Sequence, residues 1–154
     1  MSIPTGFENL VGQWKGVKKL WMSPTEPMHE SDTLMKVATT ARGKFLTLNY
    51  NWDFEGFPQD GLLLVGVEEK TNKVAITWVD SWHMGDAVMT CKGRVEKDGS
   101  IYALGSYPAP TGPDWGWSIR LKLIDENQWQ LQMENITPAG VAMLAVEIDY
   151  FRAA

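Results

Sequence analysis

Leu46-Thr47-Leu48-Asn49-Tyr50-Asn51-Trp52 alternates apolar and polar side chains without a break. Successive side chains of a strand point to opposite faces of the sheet, so this period of two predicts a strand with one buried face. The same alternation recurs in residues 128–135 and 142–152. The pattern therefore favours an all-β protein.

Turn signals rich in Gly, Pro, Asn and Asp, among them a predicted turn at residues 57–61, recur along the chain at about the 8–12-residue spacing of sandwiches and barrels. Between them we predict about ten strands, at residues 13–22, 29–40, 44–53, 61–68, 73–82, 87–96, 100–107, 116–124, 128–135 and 142–152. Most connections are short, so consecutive strands pair as an up-and-down meander, and closure into a barrel removes its two free edges. We predict one domain, residues 1–154, built as a closed antiparallel β-barrel.

One helix signal precedes the strands. Thr5 and Glu8 have the spacing of a capping box, and Phe7, Leu10 and Val11 form a short apolar face. We expect a short N-terminal helix that lies against the barrel mouth.

Bulk properties exclude several classes of function. The formal net charge is −5, which argues against nucleic-acid binding because phosphate contacts need a concentrated basic patch. Cys91 is the only cysteine, so no internal disulfide is expected. The start of the chain lacks the features of a signal peptide, and no apolar run is long enough to span a membrane. A cytoplasmic protein of bacterial type is the expectation.

Gly12-Gln13-Trp14, placed between the predicted helix and the first strand, resembles the Gly-x-Trp opening of lipocalins and other calycins. In that superfamily a basic residue of the last strand packs over the tryptophan, and Arg152 is placed to do so. A guanidinium stacks well on an indole face. The resemblance implies a lipocalin-like barrel whose floor is closed by Trp14 and Arg152.

The chain is also similar, over nearly its whole length, to an uncharacterised bacterial family known as domain of unknown function 1579. The matching stretches are residues 10–16, 43–46, 61–66 and 77–81. This resemblance again implies a calycin barrel, and it carries over no catalytic residues.

The most informative stretch for chemistry is Ile76-Thr77-Trp78-Val79-Asp80-Ser81-Trp82-His83. In a strand over 73–82, Asp80 shares the inward face with Trp78 and Trp82. A buried carboxylate must be paired, hydrogen-bonded or protonated, and Lys18 on the inward face of the first strand is a candidate partner. Asp80 is therefore predicted either to anchor a ligand or to cap a turn at the barrel rim.

Large aromatic side chains fall on predicted inward faces of several strands, where they either line a pocket or fill the lumen. A barrel of about eight to ten strands can hold one small ligand. The predicted ligand-binding residues are Lys18, Tyr50, Trp52, Trp78, Asp80, Trp82, His83, Trp117 and Met133.

Several functions fit these residues. The favoured one is binding of a small apolar or aromatic ligand in the lumen, without a cofactor. The alternative is a cofactor-independent isomerase, cyclase or hydrolase that uses Asp80 and His83 as acid and base. A second alternative is haem binding through His83 or His29. Two histidines and one cysteine give no metal-site spacing, so no metal is predicted.

An interaction surface is the remaining possibility. Trp21, Phe45 and Phe151 fall on faces that otherwise carry polar residues. We predict that they form one exposed apolar patch that pairs two barrels as a homodimer.

Overall fold

A computed structural model describes residues 1–153 as a closed antiparallel barrel with a short 3₁₀ helix before it. In chain order the elements are the 3₁₀ helix Phe7–Leu10 and strands β1 Gly12–Leu20, β2 His29–Thr40, β3 Phe45–Phe54, β4 Phe57–Glu68, β5 Lys73–Asp80, β6 Met89–Val95, β7 Ile101–Tyr107, β8 Trp115–Asp125, β9 Gln128–Ile136 and β10 Ala142–Arg152. No helix within residues 1–153 is long and apolar enough to cross a bilayer.

Each strand pairs with the strands before and after it in the sequence, and β1 pairs with β10 to close the ring. The closing register sets Trp14 opposite Arg152 and Leu20 opposite Val146. The predicted all-β, closed, up-and-down barrel is confirmed. Closure leaves none of these ten strands with a free edge.

The two ends of the barrel differ. We call the end that holds Trp14 and Arg152 the floor, and the opposite end, where β3 reaches Phe54 and β5 reaches Asp80, the mouth. The long connections after β1, β5 and β7 all lie at the mouth, whereas tight turns dominate the floor. The mouth is therefore the end where backbone and side chains are free to form a site.

The β3–β4 hairpin corrects one predicted turn. Residues 57–61 belong to strand β4, and the turn is formed by Glu55 and Gly56, both with positive φ (51° and 83°). A two-residue turn of this kind matches the twist of the flanking strands, and Pro58 is tolerated in the strand opposite Asp53. Strand β5 ends at Asp80, two residues earlier than predicted, so Trp82 lies in the rim turn that follows.

The predicted capping box is wrong. The residue before the 3₁₀ helix is Gly6, with φ of 88°, and no side chain caps the helix. The helix also packs at the floor and not at the mouth, because Phe7 and Leu10 are buried there and the indole of Trp14 donates a 2.7 Å hydrogen bond to the Leu10 carbonyl. A four-residue helix is too short to be stable in isolation, so these contacts set its position.

Arg152 closes the floor as the calycin resemblance implied. Its guanidinium carbon lies 4.3 Å from the centre of the Trp14 ring. The same guanidinium donates to the carbonyls of Asn9, Val11 and Glu126, at 2.8 to 3.4 Å. One side chain thus joins the last strand, the 3₁₀ helix with the residue after it, and the β8–β9 turn.

Candidate functional site

Asp80 is the last residue of β5 and lies buried at the mouth. Its Oδ2 accepts from the hydroxyl of Tyr50 (2.6 Å) and from the indole of Trp52 (3.2 Å). Its Oδ1 accepts from the backbone amides of Trp82 and His83, both at 2.8 Å. The carboxylate therefore both caps the rim turn and holds two side chains of β3.

The surroundings of Asp80 keep it ionised. Burial alone would raise the pKa of this carboxyl. Attraction to His83 and Lys18 and the hydrogen bonds from Tyr50 and the His83 amide outweigh burial, so the pKa lies below its ordinary value. With four donors on two oxygens, Asp80 has little capacity left for a ligand.

Lys18 lies on the inward face of β1 and is buried. Its Nζ lies 2.9 Å from His83 Nε2 and 3.3 Å from the centre of the Trp52 ring. Burial lowers the pKa of Lys18 to about 7, although the charge of Asp80 acts in the opposite direction. The ammonium is thus held by an imidazole and an indole face, and Asp80 supplies the nearby negative charge.

His83 stands at the centre of the aromatic side chains of the mouth. Ring centres of Trp82, Trp78, Trp52 and Trp117 lie 4.8, 5.3, 5.6 and 5.8 Å from the centre of its imidazole. Burial, with the charge of Lys18, lowers the pKa of His83 to about 3. The imidazole is therefore neutral near pH 7, with Nε2 occupied by Lys18.

A second layer of contacts fixes two of the indoles. Trp78 donates from Nε1 to the hydroxyl of Tyr50 at 2.8 Å, and that hydroxyl in turn donates to Asp80. Burial raises the pKa of Tyr50 well above its ordinary value, so the hydroxyl stays protonated and keeps this chain of bonds. Trp78 also stacks on Trp117, with ring centres 5.5 Å apart and planes at 15°.

We call the side chains described above the mouth cluster: Lys18, Tyr50, Trp52, Trp78, Asp80, Trp82, His83 and Trp117. Two cavities open beside this cluster, and His83 and Trp117 line both of them. The larger, about 300 Å³, is lined by Trp78, His83, Met84, Ala87, Met89, Tyr107 and Trp117. The smaller, about 160 Å³, is lined by Leu20, Trp21, Met22, Ser23, Pro24, Trp82, His83, Trp117, Asn135, Met143, Leu144 and Ala145. The larger cavity, without any contribution from the smaller one, has room for a single aromatic ring with a substituent.

Two larger hollows, about 720 and 660 Å³, are not lumenal. They are grooves over the outer faces of β1 to β5 and of β10, β1 and β2, and outward-pointing side chains such as Lys36, Asn51, Lys19 and Glu147 line them. The surface of the second groove is largely apolar, and it includes side chains that are exposed to water, among them Val17, Leu34 and Phe151. Both grooves are open to the surface, so neither is an enclosed site.

Trp117 carries the one orphaned polar atom of the mouth cluster within residues 1–153. Its side chain is 7% exposed, and its Nε1 is buried without a hydrogen-bond partner. A buried donor without an acceptor destabilises the protein by about 1–3 kcal/mol. This atom therefore marks a position where an acceptor is missing.

The structure brings together most of the predicted site residues, but not all. Seven of them, Lys18, Tyr50, Trp52, Trp78, Asp80, Trp82 and His83, are linked by direct contacts, and Trp117 stacks on the group. Met133 is inward and buried, but it packs between Ile119 and Val146 in the register and lines neither cavity. The role of all nine predicted residues in ligand binding stays a prediction.

Sequence reasoning missed Tyr107 and Met89, which line the larger cavity. A signal was available for both. Tyr107 continues the inward series of Ile101 and Ala103 on β7, and Met89 begins the inward series of β6 that continues at Cys91. Alternation carried to the strand ends would have placed both at the mouth.

The predicted three-residue apolar patch does not form. Phe151 is exposed near the floor end of β10, Trp21 follows the mouth end of β1, and Phe45 begins β3 at the floor. Trp21 and Phe45 are half-buried, since Trp21 lines the smaller cavity and Phe45 packs against Gly66. Dimerisation stays a prediction, without this patch as its basis. Within residues 1–153 there is no group of three or more His, Cys, Asp or Glu side chains that could hold a metal ion.

The chain belongs to the family described as protein of unknown function (DUF1579), whose model matches residues 5–152. The resemblance stated from the sequence is thereby confirmed. Among curated protein sequences, none matches the chain significantly.

Two solved structures share the fold. One is Rv2717c from M. tuberculosis, at 17% identity, with all of both chains covered and a TM-score of 0.67. The other is the S-type phycobiliprotein lyase CPES from Guillardia theta, at 13% identity, with 100% of this chain and 94% of the lyase covered and a TM-score of 0.67. At identities this low, the similarity shows that the proteins share the barrel fold and nothing about what they bind.

Proposed function

We propose that this member of the DUF1579 family binds a small aromatic or apolar molecule at the mouth of the barrel. The observation that carries the proposal is the pair of cavities that share His83 and Trp117 among packed indoles. Small-molecule sites are typically concave, mostly apolar, and supplied with a few polar groups that fix orientation. The mouth cluster has this composition.

Two further features support binding at this place. The buried Lys18 and Asp80 and the partly buried His83 are held in one geometry by hydrogen bonds, so the polar part of the site is formed before a ligand arrives. The indole rings provide flat apolar walls, which supply most of the affinity for an aromatic molecule.

The proposal is tested by filling the larger cavity. Ala87 lines it and is itself exposed, so Ala87→Trp places a large ring in the cavity without removing a core contact. Val88, the next residue, is 62% exposed and lines neither cavity, so Val88→Trp is the matched control. A thermal-shift screen of small aromatic metabolites should give stabilising compounds for the parent and for Val88→Trp, and not for Ala87→Trp. Equal shifts in all three proteins would place binding elsewhere.

Acid–base catalysis is the second candidate, and one observation favours it. A group whose pKa lies near neutrality exchanges protons most effectively, and the pKa of Lys18 is about 7. Asp80 is less suited, because its oxygens are occupied and its contact with His83 is to the backbone amide and not to the ring. The fold leaves catalysis open, since a protein named as a lyase shares it.

The catalytic alternative has its own test. Lys18 would exchange protons with the substrate through His83, which lies 2.9 Å from its Nζ and lines both cavities, so Lys18→Met should abolish turnover. Because Lys18 itself lines neither cavity, the Kd of the substrate should change by less than about threefold. Unchanged turnover in Lys18→Met would remove this candidate. Haem binding through His83 has little geometric support, because Nε2 is engaged with Lys18 and four indoles surround the ring.

A further inference from the structure

The polar atoms of the mouth form a hydrogen-bond network in which nearly every acceptor already has a donor from the protein. Asp80 receives four donors, and the Tyr50 oxygen receives the indole of Trp78 while its proton goes to Asp80. Asn135, which lines the smaller cavity, accepts the Tyr107 hydroxyl at Oδ1. The acceptors of this cluster are therefore largely satisfied within the protein.

Donors, in contrast, are in excess. Trp117 Nε1 is buried without a partner. When Lys18 is an ammonium, His83 Nε2 is its acceptor at 2.9 Å, and the neutral ring then carries its proton on Nδ1, which makes that atom a donor. The amide nitrogen of Asn135 is likewise a donor once Oδ1 accepts from Tyr107. All three residues line the smaller cavity, and two of them line the larger one.

We propose that the ligand of this site carries a hydrogen-bond acceptor, a carboxylate or ketone oxygen attached to an aromatic ring, and presents it to Trp117 Nε1 and His83 Nδ1. The inference rests on the proposed function, since it states the ligand class of the same site. Trp117 Nε1 is covered, so the entering oxygen reaches it by displacing neighbouring side chains of the rim. The gain is the hydrogen bond that this indole lacks in the free protein.

The excess of donors also predicts what the site rejects. A ligand ammonium would meet the donors of Trp117, His83 and Asn135, with the charge of Lys18 behind His83, and it would leave Trp117 Nε1 unpaired. Desolvating such a cation without an acceptor is unfavourable. An aromatic ring that carries an ammonium group should therefore bind less tightly than the same ring without a polar group.

Four compounds that share one ring test the inference: benzoate, acetophenone, toluene and benzylammonium. Binding is measured with the whole protein by the chemical shifts of the tryptophan indole N–H groups, and the Trp117 resonance is identified by its loss in Trp117→Phe. We expect acetophenone to bind about fivefold and benzoate about tenfold or more tightly than toluene, as neutral and charged hydrogen bonds allow. Both should shift the Trp117 N–H resonance downfield, and benzylammonium should bind most weakly.

A matched control separates the missing acceptor from the loss of an indole. Trp129 Nε1 is also buried without a partner, but Trp129 packs on Trp14 and Tyr150 at the floor. Trp129→Phe should keep the preference for acetophenone over toluene, whereas Trp117→Phe should reduce it to about twofold or less.

The possible results distinguish the two proposals. If toluene or benzylammonium binds at the mouth as tightly as acetophenone and benzoate, the ligand class is wrong and the proposed binding function stands. If none of the four compounds perturbs the Trp117 resonance, both proposals are overturned. If Trp117→Phe keeps the full preference for acetophenone over toluene, another group binds the acceptor oxygen and the inference is wrong.

Discussion

Asp80→Asn is the substitution that examines the mouth most directly. An asparagine has one acceptor oxygen where the carboxylate has two, and its other terminal atom is a donor. Oδ2 now serves Tyr50 and Trp52, and Oδ1 serves the amides of Trp82 and His83. Whichever way the amide turns, its NH₂ group faces two of these four donors.

The expected cost follows from that count. Two hydrogen bonds to a charged acceptor are lost, each worth about 1.5–3 kcal/mol, and partial rearrangement recovers some of it. We expect Asp80→Asn to lower the free energy of unfolding by about 3–5 kcal/mol. Urea titration at pH 7, followed by tryptophan fluorescence, measures it. Asp60→Asn, at an exposed position on β4, is the control and should change stability by about 0.5 kcal/mol or less.

A double-mutant cycle assigns the loss to its cause. Tyr50→Phe removes the hydroxyl that donates to Asp80 at 2.6 Å. Its cost should be at least about 1 kcal/mol smaller in the Asp80→Asn background than in the parent, because contacting residues are coupled. A loss below about 1 kcal/mol for Asp80→Asn, without coupling to Tyr50, would refute the assignment of Asp80 as the organiser of the rim.

Three further predictions concern other parts of the barrel. Trp14→Ala should destabilise the protein by about 3–5 kcal/mol in a urea titration, since the indole is buried at the floor under Arg152; a loss below about 1 kcal/mol would contradict the floor packing. The pKa of Lys18 is about 7 in the folded chain against 10.5 unfolded, so the unfolded state holds more protons between these values. The stability of the parent relative to Lys18→Met should therefore rise across pH 7 to 10.5, by on the order of 5 kcal/mol, and a difference that is flat with pH would disprove this. A side chain at Gly93 would collide with the backbone of Tyr102 across β6 and β7, whereas one at Gly105 would meet side-chain atoms of Cys91 and Met89, which can shift more readily than backbone; Gly93→Ala should thus lower the melting temperature more than Gly105→Ala, and equal effects would contradict the register.

The fold was predictable because alternation in a barrel reports burial directly. Leu46, Leu48, Tyr50 and Trp52 are all buried on one face of β3, as the opening stretch predicts. Strand ends were less accurate, because a turn such as Glu55-Gly56 depends on two backbone conformations and not on polarity. The prolines and glycines near it favoured a turn at residues 57–61, where the strand in fact continues.

The site was predictable as a set of residues and not as a pattern of contacts. Period two places Asp80, Trp78 and Lys18 on inward faces, and this is where they lie. It does not indicate the stagger between strands, which decides that Lys18 meets His83 and Trp52. The capping of the rim turn by Asp80 was one of the two readings left open, and it is the one the hydrogen bonds show.

The pairing of β1 with β10 has a consequence for synthesis on the ribosome. Every other pair of strands is adjacent in the sequence and can form as a local hairpin while the chain emerges. The seam that sets Trp14 opposite Arg152 joins residues separated by nearly the whole chain, so it cannot form before β10 has been translated. Until then β1 has an unpaired edge of nine residues, which is open to other strands or to a chaperone. The emergence of β10, and not the folding of any single hairpin, should therefore set the moment at which the mouth site is assembled.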